Sequence, residues 1–353
     1  MTKQRKAVSL ISGGLDSMLA TKVIQDQGVH VEGINFYTGF CVEGHTHAIR
    51  KKDKDKQKKN SSLWVAEQLG IKLHIIDISE EYKDIVLNPK HGYGQNLNPC
   101  LDCKIDMVGR AWQWCQDNDF DFVITGEVVG QRPKSQRKST MPIIARESQV
   151  QDRLVRPLCA HHLPETHPER EGWIKRENLY DFHGRNRKPQ IALARSLGID
   201  EWSQPAGGCC FLTDESYSNK LQDLWNARGE RDYEIDDIML LKVGRHIRPA
   251  NNFKLIVSRE EGENNFMRGY RPQFTYLYPT SHGGPLTLVD GTPTEADLEL
   301  AARMVARFSQ GRNEDNVTVE LVRQHNQPAQ VLQVKPMPID ELPDSWYVNS
   351  ERK

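Results

Sequence analysis

The segment Ser12-Gly13-Gly14-Leu15-Asp16-Ser17 constrains the fold of this chain more than any other feature of the sequence. The apolar run 7–11 before it predicts a buried parallel strand, and apolar residues at helical spacing follow it. A strand, a glycine turn and a helix in this order direct backbone N–H groups and a helix N-terminus at a phosphate. Because Gly13 and Gly14 lack a Cβ, the backbone can approach such a ligand closely. The sequence therefore predicts a phosphate-binding turn, and an ordinary tight βα turn is the simpler alternative.

Polar side chains within this segment indicate which ligand it binds. Ser12 and Ser17 add hydroxyl donors for a phosphate. Asp16 is a poor phosphate neighbour unless a cation lies between the two groups, so the sequence predicts Mg²⁺. The segment is not a Walker A loop, because no Gly-Lys-Ser/Thr follows its glycines. It resembles the PP-loop of the ATP pyrophosphatases. This resemblance implies that ATP is cleaved to AMP and pyrophosphate while a substrate oxygen is adenylated.

Apolar strand candidates alternate with helical patterns through the first half of the chain. The predicted strands are 31–36, 72–77 and 120–125, and the predicted helices are 61–69 and 105–115. This βαβα rhythm predicts an α/β fold, a doubly wound parallel sheet with helices on both faces. Such sheets bind ligands beyond the carboxyl ends of their strands, so residues at those ends should converge on one crevice. The residues expected there are Ser12, Phe36, Asp77 and Thr125.

The length of 353 residues and the shifts in composition predict two or three domains. Pro, Arg and His accumulate after residue 131, which predicts a long irregular insertion over the active-site face. Short alternating segments, 239–243 among them, and an amphipathic helix at 297–307 predict a small α+β domain. The predicted boundaries are 1–204 for the parallel-sheet domain with its insertion at about 131–177, 205–235 for a cysteine-bearing turn and connecting helix, 236–335 for the small domain, and 336–353 for a tail.

Hydropathy and charge indicate where the protein works and what it binds. No apolar stretch is long enough for a transmembrane helix, and the first strand begins too early to leave room for a signal peptide. We therefore expect a cytoplasmic protein without a membrane partner. The net charge is only −1, but Arg50–Lys59 contains seven Lys and Arg residues. Such local basic patches predict a polyanion docked on one face, and a solvated surface is the alternative. The candidate contacts are Lys58, Lys59, Arg132, Lys134, Arg137 and Lys138.

The seven cysteines favour metal binding or thiol chemistry, because an odd number argues against a disulfide framework. Cys100 and Cys103 form a CxxC motif at the start of a predicted helix, whose dipole lowers the pKa of a thiol. Zinc would need about four ligands, and no second motif supplies them. With a third thiol at Cys209 or Cys210, two alternatives stay open. The three thiolates hold a [4Fe–4S] cluster with one open iron, or one cysteine carries a persulfide that another resolves as a disulfide.

The remaining cysteines, Cys41, Cys115 and Cys159, are expected to be buried and inert.

The order of the motifs resembles that of the tRNA-thiolating PP-loop enzymes, the 2-thiouridylases and 4-thiouridine synthetases. The motifs are Ser12 to Ser17, Asn98-Pro99-Cys100-x-x-Cys103, Thr125-Gly126-Glu127 and Gly208-Cys209-Cys210-Phe211. Two departures stand out, because Glu127 replaces the histidine of the 2-thiouridylases and Cys100 is an additional cysteine. Gly130-Gln131-Arg132-Pro133 is similar to a motif of a bacterial subgroup of that family. More weakly, the last third resembles the RNA-binding module of ribosome quality-control proteins, through 243–247 and 259–266.

This resemblance implies an ATP-dependent tRNA sulfurtransferase that adenylates a uridine carbonyl and replaces its oxygen by sulfur. It implies ATP contacts at Ser12, Gly13, Gly14, Asp16, Ser17, Phe36, Thr125 and Gly126, catalytic roles for Asp16, Cys103 and Cys210, and cluster ligands at Cys100, Cys103 and Cys210 or Cys209. The additional Cys100 favours the cluster-bearing branch. The partners would be tRNA, a sulfur donor (inorganic sulfide or a persulfide carrier) and, in a homodimer, a second copy of the chain.

Two other classes of function fit parts of the sequence. A small-molecule amidating or nitrile-forming enzyme of the same fold would leave the cysteines and the basic middle unexplained. A non-enzymatic RNA-binding adaptor would not need the complete set of PP-loop residues. Binding of tRNA discriminates against the first alternative, and exchange of pyrophosphate into ATP discriminates against the second.

Overall fold

Two separate sheets organise the structure, a computed structural model that describes residues 4–42, 61–202 and 210–348. The first unit ends at Cys210, and the second unit begins at Phe211. Among the described helices, none combines the length and apolar character needed to cross a bilayer.

The first unit is built on five parallel strands. They are β1 (Lys6–Leu10), β2 (His30–Tyr37), β3 (Leu73–Asp77), β4 (Phe122–Ile124) and β5 (Leu154–Val155). Their order in the sheet is β3-β2-β1-β4-β5, and every neighbouring pair is parallel. The doubly wound parallel sheet predicted from the sequence is therefore confirmed. Because the strand order reverses beside β1, the crevice between β1 and β4 is where such a fold binds its ligand.

Seven helices accompany this sheet in the described part of the first unit. They are α1 (Leu15–Gln25), α2 (Ser62–Leu69), α3 (Tyr82–Leu87), α4 (Cys100–Asp117), α5 (Met141–Glu147), α6 (His167–Arg170) and α7 (Lys188–Ser196). The predicted limits of α2 are correct because both ends carry local signals. Ser61 accepts a hydrogen bond from the Leu63 backbone N–H, and Gly70 ends the helix at a φ of +62°.

The insertion predicted as irregular, at about 131–177, contains regular structure. It includes α5, α6 and β5, the fifth strand of the sheet. Strand β5 has only two residues, which is too short for an alternating pattern to reveal it. The segment belongs to the core as well, because Val155 and Leu158 are buried in the same cluster as Leu19 of α1.

The second unit contains an antiparallel sheet with helices. Its helices are α8 (Glu215–Arg228), α9 (Ile235–Leu240), α10 (Glu261–Met267) and α11 (Glu295–Arg307). Its strands are β6 (Arg245–Ala250), β7 (Phe253–Val257), β8 (Thr275–Pro279), β9 (Thr287–Gly291), β10 (Val317–Val322) and β11 (Gln330–Val334). The strand order is β11-β10-β8-β9-β7-β6. Buried residues of α11 pack on this sheet, which confirms the predicted α+β class.

Two segments of the second unit differ from their sequence predictions. Only Met239 and Leu240 of the apolar run 239–243 belong to α9, and the rest of the run forms a turn instead of a strand, because a capping box of Glu234 and Asp237 starts a helix just before it. The described part of the predicted tail is packed on the sheet. Met337 and Leu342 are buried in the core, and the Val348 N–H donates to the carbonyl of His246 at 3.0 Å. These buried apolar residues lie among prolines, so no helix or strand periodicity in the sequence marks them as core residues.

Candidate nucleotide and thiol site

The turn between β1 and α1 has the geometry of an anion site. Gly13 has a φ of +70°, in the left-handed region that glycine tolerates, and Gly14 occupies the N-cap position of α1. Glycine has no side chain with which to cap the helix. Among the described residues, no side chain caps the first-turn N–H groups of α1, which leaves them to a ligand. Ser17 stabilises the turn by donating a 2.8 Å hydrogen bond to the Gly14 carbonyl.

Asp16, in the first turn of α1, is held by a glutamine from a distant part of the chain. Its Oδ2 accepts a 2.7 Å hydrogen bond from Nε2 of Gln131, and Gln131 Oε1 in turn accepts from Gln190 at 3.4 Å. Burial raises the pKa of the Asp16 carboxyl above its ordinary value. The hydrogen bond from Gln131 and the positive charge of Arg187 offset only part of this rise.

The other carboxylate oxygen of Asp16, Oδ1, is buried and has no hydrogen-bond partner within the described residues. A buried carboxylate oxygen without a donor is costly unless a ligand satisfies it. Oxygen ligands of this kind suit Mg²⁺, which is commonly held by one or two carboxylates together with substrate phosphates. The residues present therefore fit the predicted Mg²⁺ beside the glycine turn.

Gly126, in the loop after β4, touches the start of α1. A Cβ at this position would lie 2.4 Å from the backbone carbon of Asp16 and 2.5 Å from the backbone nitrogen of Ser17. Both atoms are backbone, so no side-chain movement could relieve the clash. This contact gives Gly126 a role in packing, and the ATP contacts predicted for it and for Phe36, which is buried in β2, remain predictions.

Glu127 lies at the position where the resemblance expects a histidine. Its Oε2 accepts hydrogen bonds from Arg156 Nε and Thr125 Oγ1, both at 2.9 Å, and both charged side chains of the pair are buried. Burial alone would raise the pKa of Glu127, but the charges of Arg156 and Lys104 outweigh it and hold that pKa below its usual value. Glu127 is therefore a fixed, ionised carboxylate within the loop after β4.

The CxxC motif starts α4 as predicted, although the helix begins five residues earlier than the sequence pattern indicates. Cys100 and Cys103 are both partly exposed. The Cys100 thiol donates to Ser135 Oγ at 3.2 Å, and the Cys103 thiol contacts Met107 Sδ at 3.9 Å. Asp102, which lies between the two cysteines, anchors the start of the helix.

The Asp102 carboxylate accepts a hydrogen bond from the backbone N–H of His91 at 3.0 Å and contacts Nδ1 of the same histidine at 2.8 Å. The carboxylate therefore fixes the start of α4 against the chain segment that precedes it.

The loop after β4 joins the glycine turn to the CxxC motif. Near its start, Gln131 bonds Asp16, and four residues later Ser135 accepts the hydrogen bond from Cys100. Because α4 runs antiparallel to the parallel strands, its N-terminus lies at the carboxyl edge of the sheet, where the glycine turn also lies. The glycine turn and the start of the CxxC motif therefore lie at the same edge of the sheet.

Cys210 pairs with an unexpected cysteine. It forms an isolated antiparallel β-bridge with Cys41, which follows β2. The expectation that Cys41 is buried is wrong, because this residue is partly exposed. Cys115 and Cys159 are buried as expected, and burial raises the pKa of the Cys159 thiol to about 11. Cys209 lies outside the described residues.

The described thiols do not form the predicted cluster site. Within residues 4–42, 61–202 and 210–348, no three or more Cys, His, Asp or Glu side chains are placed to hold a metal ion. Cys100, Cys103 and Cys210 are thus not gathered around one centre. We therefore assign no step of the chemistry to a [4Fe–4S] cluster.

The predicted basic contacts divide into two kinds. Arg132, Arg137 and Lys138 are exposed. Lys134 instead donates from Nζ to the carbonyls of Gly92 at 2.7 Å and His91 at 3.3 Å, so it bridges two loops. Lys58 and Lys59 lie outside the described residues.

Several residues of the site were not predicted from the sequence. They are His91, Arg156, Arg187 and Gln190, together with the role of Gln131. A signal existed for Gln131, because it lies within the Gly130–Pro133 motif.

Comparisons with known proteins agree with the two-unit organisation. Residues 5–155 match the family model of the tRNA methyl transferase HUP domain, and residues 244–347 match that of the NFACT protein RNA binding domain. The tRNA-specific 2-thiouridylase MnmA of Malacoplasma penetrans is 24% identical over 257 residues, covering 69% of this chain and 65% of the relative. The enzyme of the same name from Campylobacter concisus is 30% identical over 128 residues, 35% of each protein. The chain thus spans less than two thirds of the length of these relatives.

A solved structure, a 4-thiouridine synthetase–RNA complex with bound ATP, is 20% identical with a TM-score of 0.38. The alignment covers 60% of this chain and 46% of that one. The family models and the relatives confirm the resemblance predicted from the motifs.

Proposed function

We propose that this chain is an ATP-dependent tRNA sulfurtransferase that adenylates a uridine carbonyl and replaces its oxygen by sulfur. The observation that carries the proposal is the loop after β4. It contacts Asp16 at the glycine turn through Gln131 and the CxxC motif through Ser135. Nucleotide activation and thiol chemistry need neighbouring sites, because the activated oxygen must leave as the sulfur arrives.

The activation half of the reaction is assigned to α1 and its turn. A uridine carbonyl oxygen is a poor leaving group, and its transfer to AMP makes it a good one. The first-turn N–H groups of α1 and the hydroxyl of Ser12 bind phosphate oxygens, while the Ser17 hydroxyl, which donates to the Gly14 carbonyl, shapes the turn. Asp16 would hold Mg²⁺, which neutralises charge on the phosphates when bound. Gln131 keeps the Asp16 carboxylate oriented, since it occupies one of its two oxygens.

The sulfur half of the reaction is assigned to the cysteines at the same sheet edge. The thiol route is the version that the described residues support, because Cys210 lies opposite Cys41 in a β-bridge. The alternative is the cluster on Cys100, Cys103 and one of Cys209 or Cys210. In the thiol route a persulfide carrier supplies the sulfur, because inorganic sulfide cannot form a persulfide without an oxidant. The cluster version would accept inorganic sulfide directly.

The second unit is assigned to tRNA binding. Its support is the match of residues 244–347 to an RNA-binding domain. A groove on this unit has a polar and aromatic lining, which suits a nucleic-acid strand. The lining includes Phe274, Arg323, Gln324 and His325. A homodimer stays a separate prediction, which sedimentation of the purified chain would test.

The test supplies the full chain with α-labelled ATP, Mg²⁺, unmodified tRNA and a sulfur donor. We expect AMP and pyrophosphate together with thiouridine, which mass spectrometry of the digested tRNA detects. Formation of ADP and phosphate without AMP would contradict the proposal, as would adenylation of a small molecule without tRNA. Iron analysis and absorption spectra of anaerobic protein decide between the sulfur carriers. About four irons per chain would support the cluster, and full activity without iron would support the thiols.

A further inference from the structure

We infer that Cys41 is the resolving thiol for Cys210, so that these two residues form the disulfide that a thiol-based sulfur transfer leaves behind. The pairing of Cys41 with Cys210 rests on geometry alone, and the role of this pair in catalysis rests on the proposed function. The family resemblance instead implies that Cys103 and Cys210 are the two essential cysteines.

The antiparallel bridge between Cys41 and Cys210 supplies the geometry. Residues directly opposite in an antiparallel pair have Cα atoms about 4.5–5.5 Å apart, and their side chains lie on the same face. Disulfides need a Cα separation of about 4.4–6.8 Å. The two sulfur atoms can therefore join without a large movement of either backbone segment.

The surroundings of Cys41 suit a reactive thiol. Its Sγ lies 3.4 Å from Thr38 Oγ1 and 3.8 Å from the Phe36 carbonyl, and the side chain is partly exposed. Oxidants and sulfur donors can thus reach it. Cys115 and Cys159, in contrast, are buried, and burial raises their pKa values, which makes them inert.

The position of the pair relative to the sheet suits the proposed reaction. Cys41 follows the carboxyl end of β2, which is the neighbour of β1 in the sheet. The glycine turn follows the carboxyl end of β1. Since the carboxyl ends of parallel strands meet at one edge, Cys41 and Cys210 lie at the edge that holds the predicted nucleotide site.

The step balances as a thiol–disulfide exchange. A persulfide carrier first transfers its outer sulfur to the Cys210 thiolate. This step converts Cys210 to the persulfide Cys–S–SH and releases the carrier as a thiol. The Cys41 thiolate then attacks the inner sulfur of this persulfide, the bond between the two sulfurs breaks, and the outer sulfur leaves as hydrosulfide with its electron pair. Hydrosulfide adds to the adenylated uridine carbon and displaces AMP. A dithiol reductant supplies two electrons and two protons to restore Cys41 and Cys210 for the next cycle.

The first test maps the pairing in the full chain without any substrate. The reduced protein is oxidised with diamide, alkylated and digested, and its peptides are analysed by mass spectrometry. We expect a cross-linked peptide joining Cys41 to Cys210, which Cys41→Ser removes and Cys159→Ser retains. A Cys103–Cys210 peptide as the main product in the unaltered chain would overturn the inference.

The second test measures thiouridine formation with two sulfur donors. With a persulfide carrier, Cys41→Ser should lower the rate by about tenfold or more, because hydrosulfide is no longer released. With inorganic sulfide the same variant should recover thiouridine formation, a rescue that a merely misfolded protein cannot show. Equal loss with both donors, or no loss with the carrier, would overturn the assignment. A Cys41–Cys210 disulfide in a chain that forms no thiouridine would support the pairing and overturn the proposed function instead.

Discussion

Gln131 donates a 2.7 Å hydrogen bond to Asp16, a residue 115 positions away in the chain. The bond joins the loop after β4 to the first turn of α1 and occupies one of the two Asp16 carboxylate oxygens. It leaves Oδ1, the oxygen without a described partner, as the one available to a cation. The orientation of the proposed Mg²⁺ ligand thus depends on a neutral amide far away in sequence.

Removal of this amide should weaken ATP cleavage more than folding. Gln131→Ala leaves both oxygens of Asp16 without a protein donor, so the carboxylate can rotate away from the phosphates. We expect about a tenfold lower kcat/KM for ATP, equivalent to the loss of one hydrogen bond to a charged group. Ser139→Ala, at an exposed position of the same loop, is the matched control and should keep this value. Equal effects of both changes would contradict the role of Gln131.

The raised pKa of Asp16 predicts that its charge destabilises the protein without a ligand. Because burial favours the neutral acid in the folded state, this penalty is absent below the ordinary Asp pKa. It grows as the pH rises through the folded-state value. Asp16→Asn should therefore raise the melting temperature at pH 7 and abolish ATP cleavage, and the gain in stability should vanish at low pH. Thermal melts across this pH range would contradict the prediction if the variant were less stable at pH 7.

The elements with local signals were predictable from the sequence. The glycine turn and the α2 limits depend on neighbouring residues, and so does the strand pattern of β1 to β4. The structure differs where a residue acts across the fold. Gln131 reaches Asp16, Cys41 meets Cys210, and Lys134 reaches two carbonyls more than forty positions away. No local pattern encodes these contacts, because each depends on how separate segments pack.

The buried pair of Glu127 and Arg156 should behave as one unit. Arg156→Met leaves the Glu127 carboxylate buried without its cation, which should lower the free energy of unfolding by about 3 kcal/mol or more. The double variant Glu127→Gln with Arg156→Met should recover part of this loss, since no buried charge remains. Urea titrations of both variants measure the effect. A double variant that is less stable than Arg156→Met would contradict this account.

The low pKa of Glu127 determines how the contribution of the Glu127–Arg156 pair to the free energy of unfolding depends on pH. The carboxylate is stabilised in the folded state, so its stabilising effect is complete above the ordinary Glu pKa. It is lost as the pH falls through the lower, folded-state value. In Arg156→Met the arginine charge no longer offsets the burial of Glu127, so the carboxyl takes up a proton more readily and the cost of the substitution should fall as the pH is lowered from 8 to 5. Urea titrations at both ends of this range measure the difference, and an equal cost at both would contradict the prediction.

A methyl group at Gly126 should disturb the glycine turn. In Gly126→Ala the new carbon would overlap backbone atoms of Asp16 and Ser17, so the loop and α1 must separate. We expect a loss of about 2 kcal/mol in unfolding free energy and a larger loss in ATP affinity. Gly269→Ala is the control, because its Cβ would have no atom within 4 Å. Normal ATP binding by Gly126→Ala would show that the loop contact does not position the turn.

Lys134 and its exposed basic neighbours should respond differently when their charges are removed. Arg132, Arg137 and Lys138 are exposed, and neutralising all three should flatten the dependence of log tRNA affinity on log salt concentration. Lys134→Met should leave that slope unchanged and lower stability by about 1 kcal/mol, because its ammonium group holds the carbonyls of His91 and Gly92. Filter binding at several salt concentrations gives the slopes, and urea unfolding gives the stability. If Lys134→Met flattened the slope and kept full stability, Lys134 would be a phosphate contact, and its bridge between the loops would be incidental.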